Sequence, residues 1–139
     1  MGLRSKARQS SLQILYQIEI AKISVLEAIE DYFLQNQALP EYKEFTSFLV
    51  NGVHSHVKEL DDIISSYAKN WEISRMAIVD KNILRIGVFE LLFTEDIPPK
   101  VTINEAVELA KRFGDLDSPK FVNGILDSVF RKENIKKTF

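Results

Sequence analysis

The apolar residues of the chain recur every three or four positions, which is the period of an α-helix, and no convincing run alternates with a period of two. The first such stretch predicts a helix from Leu3 to Ala21. Ser24 and Glu27 have the spacing of a capping box, in which each side chain bonds to the backbone N–H of the other residue. They predict a second helix that ends near Asn36. An all-α fold is expected.

The middle of the chain predicts one long helix followed by a buried one. The long helix runs from about Glu41 to Asn70, and its length leaves a kink or break as an open alternative. Ser74 is predicted to cap the next helix, which ends near Thr94 and is apolar on nearly all sides, as expected of a central helix. The apolar stripe of the long helix consists of Phe45, Phe48, Leu49, Val53, Val57, Leu60, Ile64 and Tyr67.

Two further helices are predicted near the C-terminus. Thr102 and Glu105 form a second capping box, and the helix that they open stops at Gly114. Asp117 or Ser118 caps the last helix, which runs to about Arg131. The two helices therefore meet at a short loop.

Three glycines, Gly52, Gly87 and Gly124, lie inside predicted helices. Each costs roughly 0.5–1 kcal/mol relative to alanine at such a position. The predicted compensation is the close approach of another helix, where a Cβ would clash.

Composition indicates one globular domain spanning residues 1–139. Hydrophobic residues make up 45% and charged residues 27% of the chain, which does not suit a disordered protein. The absence of cysteine excludes disulfides and thiol nucleophiles. The basic N-terminus is not followed by the apolar region of a secretory signal, and no apolar run approaches the ~20 residues that span a bilayer. A cytoplasmic protein without membrane contact is expected.

The charges are distributed unevenly, although the net charge is only -2. From Ser24 to Asp62 there are eight acidic and two basic residues, whereas both ends are basic. A polyanion is therefore expected to bind one side of the protein and to be repelled by another. The basic residues at the ends are Arg4, Lys6 and Arg8, and Arg131, Lys132, Lys136 and Lys137.

Motifs of enzymes are missing from the sequence. It contains no glycine-rich phosphate loop, no H-E-x-x-H and no G-x-S-x-G. His54 and His56 point about 200° apart on a helix and cannot easily share a metal, so His56 is interpreted as a partly buried packing residue. Asp61 and Asp62 are interpreted as a solvated face. We expect neither catalysis nor a cofactor.

The first helix is the first of two candidate binding surfaces. Arg4, Lys6 and Arg8 lie near its start, where the helix dipole disfavours cations by a few tenths of a kcal/mol. Phosphate binding would explain them, and Tyr16 could stack on a base. The alternative is a solvated helix start with a core tyrosine.

The second candidate surface is the start of the last helix. Lys120 and Phe121 occupy its first turn, directly after the loop that contains Gly114 and Asp117. A helix N-terminus with a lysine and an aromatic residue can bind an anion and a base. The alternative, in which Phe121 belongs to the core, stays open.

At these residues the chain resembles the NusB family of bacterial transcription antitermination factors over nearly its whole length. The resemblance implies two small helical bundles packed as one domain, and no catalysis or cofactor. It also implies binding to boxA, a short single-stranded RNA element of ribosomal RNA leaders. The ribosomal protein NusE would bind with it, on a transcription elongation complex that carries other Nus factors. The matching segments are 6–8, 15–16, 49–53, 79–85, 90–91, 97–98, 101–111 and 118–124, including Ile103-Asn104-Glu105-Ala106 and Lys120-Phe121-Val122-Asn123-Gly124.

The resemblance also assigns roles to individual residues. It implies that Asp80, Lys81 and Arg85 lie where relatives approach RNA and NusE, although Arg85 could equally be a structural ion-pair partner of Glu90 or another acid. The implied RNA contacts are Arg4, Lys6, Arg8 and Tyr16 on one wall, and Asp117, Ser118, Lys120 and Phe121 on the other.

The chain departs from the family pattern at its start, where many relatives have a denser run of arginines. Fewer phosphate contacts imply weaker RNA binding by the protein alone and a stronger dependence on its partner. Two other functions stay open. One is a purely protein-binding scaffold, and the other is an accessory domain of an rRNA methyltransferase.

Overall fold

The computed structural model of the chain describes residues 2–135 and Lys137, and these residues form seven α-helices, one short 3₁₀ helix and no strand. The prediction of an all-α fold is confirmed. The chain divides into two compact units, Met1–Ser55 and His56–Phe139. The helices are α1 Leu3–Ala21, α2 Val25–Gln35, α3 Pro40–Ser55, α4 Val57–Tyr67, α5 Ile78–Phe93, α6 Pro99–Phe113 and α7 Ser118–Lys132, and the 3₁₀ helix is Ile73–Arg75.

The first unit is built from α1, α2 and α3, which pack against one another. The Ser24 hydroxyl accepts a hydrogen bond from the Glu27 N–H at 3.1 Å, so the predicted cap of α2 is confirmed. The buried hydroxyl of Ser10 on α1 bonds to Tyr32 of α2 at 2.9 Å and also to Tyr42 of α3. A polar cluster therefore joins the three helices and complements their apolar core.

The predicted long helix is interrupted at His56, so the alternative of a break is correct. His56 has φ -112° and ψ 16°, which is outside the helical region. Its ring stacks on Phe93, with the ring centres 4.2 Å apart, and its Nδ1 lies 3.1 Å from Glu59 Oε1. This packing confirms the interpretation of His56 as a partly buried packing residue.

The second unit is centred on α5, which packs against α4, α6 and α7. Nine residues of α5 are buried, as its apolar sequence predicted. Glu90 is among them, and its Oε1 accepts a hydrogen bond of 2.9 Å from the Thr102 hydroxyl. A buried carboxylate needs such partners, because burial without them is costly.

Two predicted helix starts are wrong. Ser74 lies within the 3₁₀ helix, and α5 begins after Ala77, because Met76 and Ala77 have extended backbone. The α6 helix begins at Pro99 and not after Thr102. Proline suits the first helical position, since its missing N–H would have no partner there. The Thr102 side chain is consequently free to reach Glu90 of α5.

The glycines inside helices have different environments. A Cβ on Gly87 of α5 would lie 2.7 Å from Cδ1 of the fully buried Leu126 of α7, so close helix approach is confirmed at Gly87. A Cβ on Gly124 would have no atom within 4 Å, so the prediction is wrong there. For Gly52, the close approach of another helix stays a prediction.

Alanine substitutions at Gly87 and Gly124 are therefore expected to have opposite effects on stability. Gly124→Ala should raise the free energy of unfolding by about 0.5–1 kcal/mol through helix propensity. Gly87→Ala should lower it, since overpacking costs about 1–3 kcal/mol. Urea denaturation followed by circular dichroism measures both, and a stabilised Gly87→Ala variant would contradict the packing described for Leu126.

The basic residues near the C-terminus differ in their contacts. Lys137 donates hydrogen bonds to the carbonyl oxygens of Glu90 and Ile97 at 2.8 and 2.9 Å. Burial lowers the pKa of Lys137, against the opposing influence of nearby carboxylates. Arg131 pairs with Asp127 at 3.0 Å, and Lys136 lies outside the described residues. The role predicted for this end in polyanion binding is therefore not supported by Lys137, whereas Arg131 and Lys132 are exposed and the surface pair of Arg131 is weak.

Candidate nucleic-acid interface

The cations of α1 differ in their exposure. The guanidinium carbons of Arg4 and Arg8 lie 4.6 and 5.5 Å from the ring centre of Phe45, which is on α3. Lys6 is exposed, but Arg8 is only 3% exposed, so the expectation of an exposed cation is wrong for Arg8. Arg8 lies on the side of α1 that packs against α3, and its long side chain is covered there.

Tyr16 is 41% exposed on α1, so the alternative of a core tyrosine is wrong. An exposed aromatic face is what stacking on a base requires. In the first unit, Arg4, Lys6 and Tyr16 are therefore accessible to a ligand, and Arg8 is the one buried residue among the four predicted RNA contacts.

A groove of about 570 Å³ in the second unit brings together residues from the starts of α5 and α7. All four RNA contacts predicted in this unit line it, and so does Asp80, which was predicted to contact a partner. The groove is lined by Trp71, Arg75, Met76, Ala77, Asp80, Asp115, Asp117, Ser118, Lys120 and Phe121.

The start of α7 shapes one side of the groove. Asp117 occupies the N-cap position without a capping side-chain bond and is exposed, so it does not cap the helix. The buried Ser118 hydroxyl accepts a hydrogen bond of 2.9 Å from the Asp115 N–H and thereby orders the loop. The start of α5 at Ala77 also lacks a side-chain cap. Two helix N-termini, which attract anions, therefore line the groove.

An aromatic pair lines the groove as well. The rings of Phe121 and Trp71 meet edge to face, with their centres 6.0 Å apart and their planes at 70°. Phe121 is partly exposed and Trp71 is 56% exposed, so neither is a core residue. Trp71 was not among the predicted binding residues, although it is the only tryptophan in the sequence and lies in the largely polar stretch 69–75.

Asp80 supplies the groove with an unused hydrogen-bond acceptor. Its Oδ1 is buried and has no hydrogen-bond partner within residues 2–135 and Lys137. A buried acceptor in this state costs about 1–3 kcal/mol, and a donor in the groove removes this cost once the Asp80 carboxylate rotates to meet it. An amino group of a base or a ribose hydroxyl is such a donor.

Arg85 is held by an ion pair in the second unit. Its Nε and Nη2 donate hydrogen bonds of 2.7 and 2.8 Å to the two carboxylate oxygens of Asp61 on α4. The side chains of Arg85 and Asp61 are only 12% and 26% exposed. The prediction that Asp61 belongs to a solvated face is therefore wrong. The structural alternative for Arg85, an ion pair with an acid of the fold, thus has direct support, and Asp61 is such an acid. Lys81, its neighbour on α5, is partly buried.

Within residues 2–135 and Lys137, no three His, Cys, Asp or Glu side chains are arranged to hold a metal ion. None of the described helices is both long and apolar enough to cross a membrane.

Comparison with known proteins shows the family to which the chain belongs. The model of the NusB family matches residues 5–131. The transcription antitermination protein NusB of Syntrophus aciditrophicus is 46% identical over 132 residues, covering 95% of this chain and 82% of the relative. The T. maritima NusB structure has a TM-score of 0.87 and 37% identity, covering 93% of this chain and 91% of that one.

A second structure of antitermination factors, NusB and NusE in complex with dsRNA, has a TM-score of 0.85 and 30% identity. The match covers 94% of this chain and 98% of that one. The chain belongs to the NusB family, and the resemblance seen in the sequence is confirmed. Members of this family are RNA-binding transcription antitermination factors and not enzymes, which confirms the prediction that this chain is not an enzyme.

Proposed function

We propose that the protein binds the boxA element of ribosomal RNA leaders as a single strand, together with NusE. It thereby suppresses premature termination and supports the synthesis and maturation of rRNA. The groove at the starts of α5 and α7 is the observation that carries this proposal, because it unites two cations, an aromatic face and an unused acceptor. The solved relative in complex with NusE and dsRNA supports the two partner classes.

Each kind of group in the groove has a physical role in this proposal. Lys120 and the two helix starts attract phosphate groups irrespective of sequence. Bases stack on Phe121, and amino groups of bases donate to Asp80. Ser118 is buried, and its hydrogen bond from the Asp115 N–H holds the loop at the start of α7 in place. These interactions favour unpaired bases, since stacked and paired bases cannot present their faces.

The first unit contributes a second set of contacts in the proposal. Lys6 and Arg4 supply charge, and Tyr16 supplies a stacking face. Arg8 is buried against Phe45 and supports the position of α1, in addition to any contact with phosphate.

NusE is proposed to bind beside Asp80, Lys81 and Arg85 and to complete the RNA site. Three carboxylates and only two cations line the groove, so its charge opposes RNA binding by the protein alone. A basic partner would offset this repulsion. The composite then joins the transcription elongation complex with other Nus factors.

Fluorescence anisotropy of a labelled boxA RNA tests the proposal. The RNA is titrated with the protein alone and with its cognate NusE, against a scrambled RNA of the same length at fixed salt. We expect tight, sequence-selective binding when NusE is present and much weaker binding without it. A boxA duplex serves as the control for strand preference and should bind less tightly.

Equal affinity for boxA and scrambled RNA, with and without NusE, would refute the proposal. It would favour the scaffold function, in which the protein binds only other proteins. Methyl transfer by the purified protein would instead favour the accessory-domain function.

Asp117 gives a prediction in which a substitution strengthens binding. Its exposed carboxylate repels phosphate without contributing a helix cap. Asp117→Asn should therefore tighten RNA binding by a few tenths to about 1 kcal/mol, the scale of a screened charge near a surface. Anisotropy at two salt concentrations measures this gain, which should shrink at high salt.

Asp62→Asn is the matched control for Asp117→Asn, because it removes the same charge from an exposed position on α4. It should leave the RNA affinity unchanged. Unchanged or weaker binding by Asp117→Asn would show that Asp117 does not border the RNA.

A further inference from the structure

The segment that follows α4 forms a second groove beside the first. This groove has a volume of about 490 Å³, and Trp71 and Arg75 line both grooves. We propose that a bound RNA strand continues over Trp71 into this second groove, where Lys69 and Arg75 contact its phosphates and Trp71 stacks on a base. This inference rests on the proposed function and extends its RNA site to residues 69–75.

The charges of the two grooves support a division of roles. In the first groove carboxylates outnumber cations, which suits base recognition better than phosphate binding. In the second groove Lys69 and Arg75 face one carboxylate, Glu72. The Arg75 side chain is 80% exposed, and its Nε lies 3.8 Å from Glu72 Oε2, so this ion pair is weak. The second groove therefore offers cations that phosphates can reach.

The segment is held in place before any ligand arrives. Ala68 and Met76, at its two ends, are buried. Between them, the Trp71 N–H donates to the Ala68 carbonyl at 3.0 Å and the Arg75 N–H donates to the Glu72 carbonyl at 2.9 Å. An exposed aromatic residue on an ordered turn loses little conformational freedom on binding, which favours its use as a stacking platform.

Trp71 also meets Phe121 edge to face, so the two aromatic residues lie side by side at the junction of the grooves. A base stacked on Phe121 and a neighbouring base stacked on Trp71 would belong to one continuous strand. The exposed face of Trp71 can take any base, because stacking requires only a π-face. Trp71 therefore lengthens the stretch of RNA that is bound but adds no sequence specificity.

Tryptophan fluorescence tests this inference directly, since Trp71 is the only tryptophan of the chain. The complex is formed with a NusE that has no tryptophan at its RNA surface. It is titrated with unlabelled boxA RNA and with two longer RNAs, one extended by several nucleotides at the 5′ end and the other at the 3′ end. We expect RNA to quench the fluorescence of Trp71, and the quenching should reach its plateau at the same RNA concentration as the binding measured by anisotropy. One of the two extensions should bind more tightly than the boxA element alone.

Substitutions separate stacking from charge. Trp71→Ala should weaken binding of the extended RNA by about 5- to 150-fold, and Trp71→Phe should recover most of the loss. Each phosphate contact on a single strand contributes about 0.7 to the slope of log affinity against log salt. The double variant Lys69→Ala and Arg75→Ala loses two such contacts, so the magnitude of its slope should fall by about 1.4. Lys58→Ala, an exposed charge on α4, is the control and should leave the slope unchanged.

The outcomes distinguish this inference from the proposed function. Selective RNA binding without quenching of Trp71, or with an unchanged salt slope in the double variant, would overturn the second groove and leave the proposed function intact. Absence of any selective RNA binding would overturn both. The double variant replaces exposed side chains alone, so its result does not depend on a change in folding.

Discussion

Phe121→Ala is expected to weaken boxA binding by about 1–3 kcal/mol, the range measured for loss of one aromatic stacking partner. The Phe121 ring is partly exposed at the start of α7 and forms the groove together with Lys120 and Asp80. Its removal takes away the stacking face but leaves the nearby charges in place. Anisotropy with the protein and NusE measures the loss.

A leucine at the same position separates stacking from bulk. Phe121→Leu keeps an apolar side chain against Trp71 but has no π-face, so it should lose nearly as much RNA affinity as Phe121→Ala. Both variants should keep the salt dependence of the natural protein, since Phe121 makes no phosphate contact. Full RNA affinity of Phe121→Leu would mean that Phe121 only packs and that bases stack elsewhere.

Asp61→Ala should lower the free energy of unfolding by about 3 kcal/mol, because it removes the carboxylate that bonds both Nε and Nη2 of the mostly buried Arg85 guanidinium. The hydrogen bond of 3.2 Å from Arg85 to Asn82 has a neutral acceptor and does not compensate for the lost ion pair. Urea denaturation followed by circular dichroism measures the change. Asp62→Ala, one residue further on and exposed, should change stability by less than about 0.5 kcal/mol.

A double-mutant cycle with Arg85→Met identifies the pair as the cause. The combined variant should be more stable than the sum of the single losses predicts, by about 1–3 kcal/mol, because each single variant already loses the energy of the same ion pair. Additive losses would show that the ion pair is not structural. Arg85 would then be available to a partner, as the family resemblance suggested.

Helix positions followed largely from local sequence. The range of α1 and the cap of α2 by Ser24 were predicted correctly, since both depend on residues within one or two turns. The break at His56 could not be located in this way. The apolar stripe keeps its spacing across His56, and the ring contact with Phe93 is made by a residue far along the chain.

Caps were predicted less well than helices, because a capping residue can find another partner. Thr102 has the spacing of a capping box but bonds to Glu90 of α5. Gly87 and Gly124 look alike in sequence, and only the position of Leu126 on α7 distinguishes them. Such differences depend on which helices become neighbours.

The sequence by itself determined the helical class, the family and most of the residues proposed to bind RNA, because periodicity and motifs are properties of neighbouring residues. The tertiary structure alone decided that Arg8 is buried, that Arg85 pairs with Asp61, and that Trp71 lies against Phe121. These facts depend on contacts between residues that are distant in the chain. Exposure, pairing and groove shape are set by how helices pack, and no local pattern encodes them.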